Sequence, residues 1–141
     1  MIRRAPLTAL ALVQRGDVTA ALGQAQLAVD AIAVIATRGR QPGLEAEAAL
    51  VHGMALLDAG EPAAARAPLE RALALRREFD DRISPWLAQA EAVHGRCLLL
   101  LGERAAASQA AVRAQEIVAA NPSLGGPFTQ PLKDLQHALQ P

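Results

Sequence analysis

Aromatic side chains are almost missing from this sequence: two Phe, one Trp and no Tyr in 141 residues. A core built on large rings is therefore excluded, although more than half of the residues are apolar. Cysteine occurs once, at Cys97, so no internal disulfide framework exists, and a reducing compartment fits. Neither sign of charge prevails: 14 basic residues balance 14 acidic ones. A nucleic-acid binder usually carries a basic excess, because neutralising phosphates drives its affinity, so nucleic acid is not an expected partner. No apolar run approaches the ~18 residues of a membrane-spanning helix, and the richest, LAVDAIAVIA, carries Asp30 inside it. At the N-terminus two Arg precede an apolar stretch of only Leu7 to Val13, at the lower limit for an export signal. The helical pattern then continues through Gln14, Arg15 and Asp17, so a cytoplasmic chain is expected. β-Branched residues are few and scattered without strict alternation, which gives strands little support.

What is abundant is alanine, close to a quarter of the chain. Ala has the highest intrinsic helix propensity, so the composition predicts closely packed helices with small side chains between them. The sequence also repeats. VHGMALLDAGEPAAA (Val51 to Ala65) and VHGRCLLLLGERAAA (Val93 to Ala107) lie 42 residues apart and share ten of fifteen positions.

Each copy reads as helix, Gly, helix. In one, a helix over about 44–59 ends at Gly60, where a positive φ is needed, and Pro62 suits the first turn of the next helix. That second helix shows Ala65, Leu69, Ala72 and Leu73 at helical spacing on one face. In the other, Ser84, Pro85 and Trp86 read as N-cap and first helical positions, and Gly102 ends the helix. The next helix presents Ala107, Ala111, Ala114 and Val118 and stops before Asn121 and Pro122. A weaker copy precedes both: Leu7 to Arg15, Gly16, then a helix with Val18, Ala21, Leu22, Ala25, Ala28, Val29 and Ile32 on one face. The tail FTQPLKDLQHAL reads as a short amphipathic helix with Leu132, Leu135 and Leu139 on one side. The expected fold is all-α: about three antiparallel helix pairs, near 2–37, 44–79 and 85–120, plus a capping helix near 128–139, in a single domain. A lone pair cannot bury its apolar face and stacked pairs can, which is a physical reason to repeat a sequence. Gly53 and Gly95 are expected where helix backbones approach closely.

These residues resemble the tetratricopeptide repeat. Gly53, Gly60, Ala65, Leu69 and Ala72 match its pattern in the second copy, Gly95, Gly102, Ala107, Ala111 and Ala114 in the third, and Ala9, Gly16, Ala21, Ala25 and Ala28 in the first. The 42-residue period exceeds the usual ~34 and is similar to the longer variant of kinesin light chains and bacterial signalling proteins, a likeness carried by APLERALALRRE and the Pro85 helix start. Ala49, Leu56, Glu91 and Leu98 stand where aromatic residues are usual, and His52 and His94 where Leu is usual. The resemblance implies a right-handed superhelical array that binds a protein or peptide in a groove lined by the first helices. It places Leu10 and Val13, then Glu47, Leu50, Met54 and Leu57, then Gln89, Ala92, Arg96 and Leu99 on that inner face. The face is largely apolar, with Glu47 and Arg96 as isolated charges. It suits an apolar or amphipathic helix, the chain's own last helix, or another copy of the chain.

Chemistry finds little footing. His94 and Cys97, three apart on one helix, make half a zinc site at best, and His52 lies one repeat away. Cys97 sits among Leu98 to Leu101 and reads as a small buried hydrophobe rather than a nucleophile. Asp80 and Asp81 read as solvated, capping loop residues, and the Gly125–Gly126–Pro127 turn opens no phosphate loop. Kinase motifs are missing. The expectation is a non-catalytic adaptor without cofactor or metal, self-association being open to it. The alternative is the C-terminal repeat segment of a larger signalling enzyme, such as a bacterial serine/threonine kinase, with additional N-terminal repeats.

Overall fold

The computed structural model describes residues 18–36, 39 and 41–141. Among these there are six helices and no strand: α1 (Val18–Ala36), α2 (Pro42–Asp58), α3 (Pro62–Phe79), α4 (Pro85–Leu100), α5 (Arg104–Ala120) and α6 (Gly126–Leu139). The all-α expectation holds. The predicted helix over Leu7 to Arg15 and its Gly16 break lie outside the described residues.

Helix starts and stops follow local chemistry. Proline opens α2, α3 and α4, where its missing N–H removes no helical bond. Gly60 and Gly102 adopt φ of 77° and 84°, the left-handed conformation expected of them. Each closes its helix in the same way. The Gly60 N–H donates to the Leu57 carbonyl and the Glu61 N–H to Leu56; the Gly102 N–H donates to Leu99 and the Glu103 N–H to Leu98. That double closure satisfies two carbonyls the helix would otherwise leave open, and it explains why Gly recurs at this point in both copies. Ser84 is the N-cap of α4 as predicted, but its hydroxyl donates to Asp80 Oδ2 at 2.8 Å rather than capping the helix.

The most extensive packing is within the pairs α2/α3 and α4/α5, followed by α3 against α4 and α1 against α2. The predicted inner faces are buried: Ala65, Leu69, Ala72 and Leu73 on α3, and Ala107, Ala111 and Ala114 on α5, with Val118 half-buried. On α1, Ala21, Ala25 and Ala28 are buried and Leu22 and Val29 half-buried. Gly53 and Gly95 lie at the closest approaches. A Cβ on Gly53 would fall 2.3 Å from Leu69 Cδ2, and one on Gly95 2.6 Å from Leu135 Cδ2 and 3.1 Å from Ala110 Cβ.

Leu135 belongs to α6, and its role follows from the repeat. Ala111 stands one period after Leu69, so α5 offers no large side chain over Gly95. Leu135 fills that space from α6 and is fully buried, as Leu69 is. α6 also keeps the 42-residue phase: Pro127 and Phe128 follow Pro85 and Trp86 by one period, and Leu135 follows Val93. It packs mainly on α4 and less on α5, with Leu132, Leu135 and Leu139 against Ala92, Leu99, Ala111, Ala114 and Val118. α6 thus occupies the position of the next first helix. Its start, predicted at about 128, is Gly126.

Candidate partner-binding groove

The first helices α2, α4 and α6 lie side by side: α2 touches α4, and α4 carries α6. The predicted groove residues on α2 and α4 divide by burial. Arg96 is exposed, and Glu47, Met54, Gln89 and Leu99 are half-buried. Leu50, Leu57 and Ala92 are buried, with 7%, 4% and 0% of their surface accessible. Leu50 and Leu57 belong to the main apolar cluster, against which Met54 packs. Ala92 and Leu99 meet α6, and the Gln89 side-chain amide donates to the Pro127 carbonyl at 3.2 Å. The chain's own last helix therefore covers the part of this face contributed by α4. Leu10 and Val13 lie outside the described residues. Of the predicted groove residues on α4 only Arg96 stays exposed, and it reaches Asp58 at the end of α2, 3.5 Å away.

Between the helices runs a set of ionic contacts that the periodicity did not reveal. Glu91, its side chain only 2% exposed, accepts from Arg77 Nη2 on α3 at 2.5 Å and from Arg113 Nε on α5. A carboxylate this deeply placed is costly unless paired, and here two half-exposed guanidiniums from flanking helices pair it. It joins α3, α4 and α5 at the position where an aromatic residue was expected from the repeat pattern. Arg66 on α3 bonds both Glu70 and Glu103, spanning from α3 to the turn before α5. Those contacts, Glu103 first, raise the Arg66 guanidinium above its ordinary value.

His94 lies beside this set, with Nε2 3.9 Å from Glu70 Oε1 and both ring nitrogens buried without a hydrogen-bond partner. Burial pushes its pKa below the usual histidine value, against the opposing pull of Glu70 and Glu91. His52, one repeat earlier, is lowered by burial too, with Asp30 opposing. Cys97 is fully buried, and its thiol donates to the Pro62 carbonyl at 3.3 Å. Burial raises the Cys97 pKa, which disfavours the thiolate a nucleophile needs. Among the described residues no three His, Cys, Asp or Glu side chains come together as a metal site. No described helix is long and apolar enough to cross a membrane.

The three aromatic residues all reach the surface. Trp86 is 50% and Phe79 47% exposed, and Phe128 is half-buried. Phe128 meets Trp86 edge-on, with centroids 5.5 Å apart at 84°, and the Arg76 guanidinium lies 5.9 Å from the Trp86 ring. Sequence reasoning treated Trp86 only as a helix start. The signal that could have found its partner was Phe128, one period downstream. No protein-family model matches the chain, and no curated protein matches it.

Proposed function

We propose that this chain is a tetratricopeptide-like adaptor: a non-catalytic module that binds a protein or peptide partner along the face formed by its first helices. The supporting observation is the side-by-side stack of α2, α4 and α6 at a 42-residue period, with α2 and α4 both ending in the same positive-φ glycine closure. Such a stack presents equivalent positions of successive helices in a row, a surface suited to an extended or helical peptide. The partner's seat begins where α6 stops covering α4 and includes Arg96, Met54 and Glu47. A non-catalytic reading is supported by the burial of Cys97, whose thiol is bonded to a backbone carbonyl, and by the burial of both His94 ring nitrogens.

The test is Arg96→Glu. Because Arg96 is exposed and its contact with Asp58 is long, helicity and melting temperature should hold while partner binding weakens. An equal loss of binding from Val112→Glu, on the exposed face of α5, would place the partner elsewhere.

A further inference from the structure

Both ring nitrogens of His94 are shut off from solvent without a hydrogen-bond partner. Among the described residues no other buried side-chain nitrogen or oxygen is left so. His94 lies on α4 where that helix meets α3. This is the seam between two helix pairs, and packing across it is less extensive than within α2/α3 or α4/α5. Side-chain contacts cross it from Arg77 to Glu91, from Arg66 to Glu103 and from the Cys97 thiol to the Pro62 carbonyl.

A neutral imidazole already strands one N–H in that position. An imidazolium strands more, because it carries a charge and two N–H groups. Glu70 Oε1, 3.9 Å from Nε2, is beyond hydrogen-bond reach and already accepts from Arg66 Nε at 3.0 Å. Nδ1 has no acceptor. The charges acting on the ring all come from α3 and α4. Glu70 and Glu91 favour its protonated form, Arg66 and Arg77 oppose it, and burial outweighs the two carboxylates. Glu103, in the turn before α5, and Arg113, on α5, are engaged by Arg66 and Glu91. Parting α3 from α4 would hydrate both nitrogens and relieve the charge.

We propose that His94 is a pH-sensitive catch: its protonation opens the array at the seam between α3 and α4 while the helices themselves persist. The catch holds above about pH 6.5, the ordinary histidine value, and loosens as pH falls below it. Because α2 and α4 lie side by side, opening also changes the spacing of the first-helix face, and a partner seated across both helices is released in acid. That consequence rests on the adaptor reading; the opening itself does not.

The single cysteine reports the seam, since Cys97 is fully buried there against Pro62 of α3. The full chain is treated with a pyridyl disulfide reagent that reacts with thiols in mild acid as well as at neutral pH. Labelling is expressed as protection relative to the chain unfolded in urea at the same pH. Between about pH 7 and pH 5 protection should fall by at least about fivefold and at most about thirtyfold, the most that one histidine supplies over that range. Far-ultraviolet circular dichroism should stay unchanged. Labelling should depend on urea less steeply than global unfolding does, which marks a local opening. His94→Gln, neutral throughout, should remove the pH dependence, whereas His52→Gln and His137→Gln should keep it. Should His94→Gln fail to fold, His94→Leu takes its place, and the urea slope of the native chain decides without either. Protection unchanged from pH 7 to pH 5, a fall that survives in the His94 variant, or labelling with the full urea slope of unfolding would overturn the proposal. None of these readouts involves a partner, so the adaptor reading keeps its own test at Arg96.

Discussion

Gly53→Ala tests the packing at the closest helix approach. In an ordinary helix interior this change stabilises by about 1 kcal/mol, because Ala loses less backbone entropy than Gly. At Gly53 the added Cβ would lie 2.3 Å from Leu69 Cδ2 and 2.4 Å from its Cγ, far inside the ~3.5–4.0 Å of optimal carbon contact. The clash reaches the branch carbon as well as a terminal methyl, and Leu69 is 1% exposed within the main cluster. Relief requires α3 to move or Leu69 to leave its rotamer, which costs about 1–3 kcal/mol. The net effect should be destabilising by up to about 2 kcal/mol. Leu69→Ala alone should cost about 2–5 kcal/mol through lost burial and the cavity left behind. In that background Gly53→Ala should stabilise by about 1–2 kcal/mol, since its methyl enters vacated space. The four proteins, unfolded in urea and followed by far-ultraviolet circular dichroism, close a double-mutant cycle with coupling of about 2 kcal/mol, within the range for touching residues. Stabilisation by about 1 kcal/mol in both backgrounds would refute the close approach, leaving helix propensity alone.

Gly23 sits in α1 with nothing within 4 Å of an added Cβ, so Gly23→Ala should stabilise by about 1 kcal/mol, read as a raised urea midpoint. Removing both guanidiniums with Arg77→Ala and Arg113→Ala should cost about 3–5 kcal/mol in the same assay by stranding the Glu91 carboxylate, whereas Glu91→Leu, which frees two half-exposed arginines, should be far milder. Because burial lowers the pKa of His94 and His52, the folded chain binds fewer protons than the unfolded one near their titration. Their contribution to stability is present above about pH 6.5 and is lost as pH falls below it, so His94→Leu should flatten the dependence of the urea midpoint between about pH 7 and pH 5.

Much of this architecture was legible because a few residues report backbone geometry directly. Gly60 and Gly102 mark turns with positive φ, Pro62 and Pro85 mark helix starts, and Ala65, Leu69, Ala72, Ala107 and Ala114 fall at helical spacing on buried faces. What escaped depends on partners distant along the chain. Glu91 stands out in the sequence only as a residue at a usually aromatic position, since the arginines that hold it lie 14 and 22 residues away on other helices. Leu135 reads as one position of a capping stripe, and its entry over Gly95 becomes evident only when Ala111 is compared with Leu69. Of the groove, the pattern assigns a face but does not show what covers it. Leu50 and Leu57 join the core and α6 shields Ala92 and Leu99, leaving Arg96 exposed. Ser84 shows a smaller version of the same limit, capping in position while its hydroxyl goes to Asp80.

The most direct test of partner binding along the first helices is site-specific photocrosslinking. A benzophenone amino acid at position 96 on α4 is compared with the same group at position 112 on α5, both of which carry exposed side chains in the native chain. The expected result is a discrete crosslinked adduct in source-cell lysate from position 96, competed by unmodified chain and lacking at position 112. An adduct from position 112 alone would contradict a partner seated on the first-helix face.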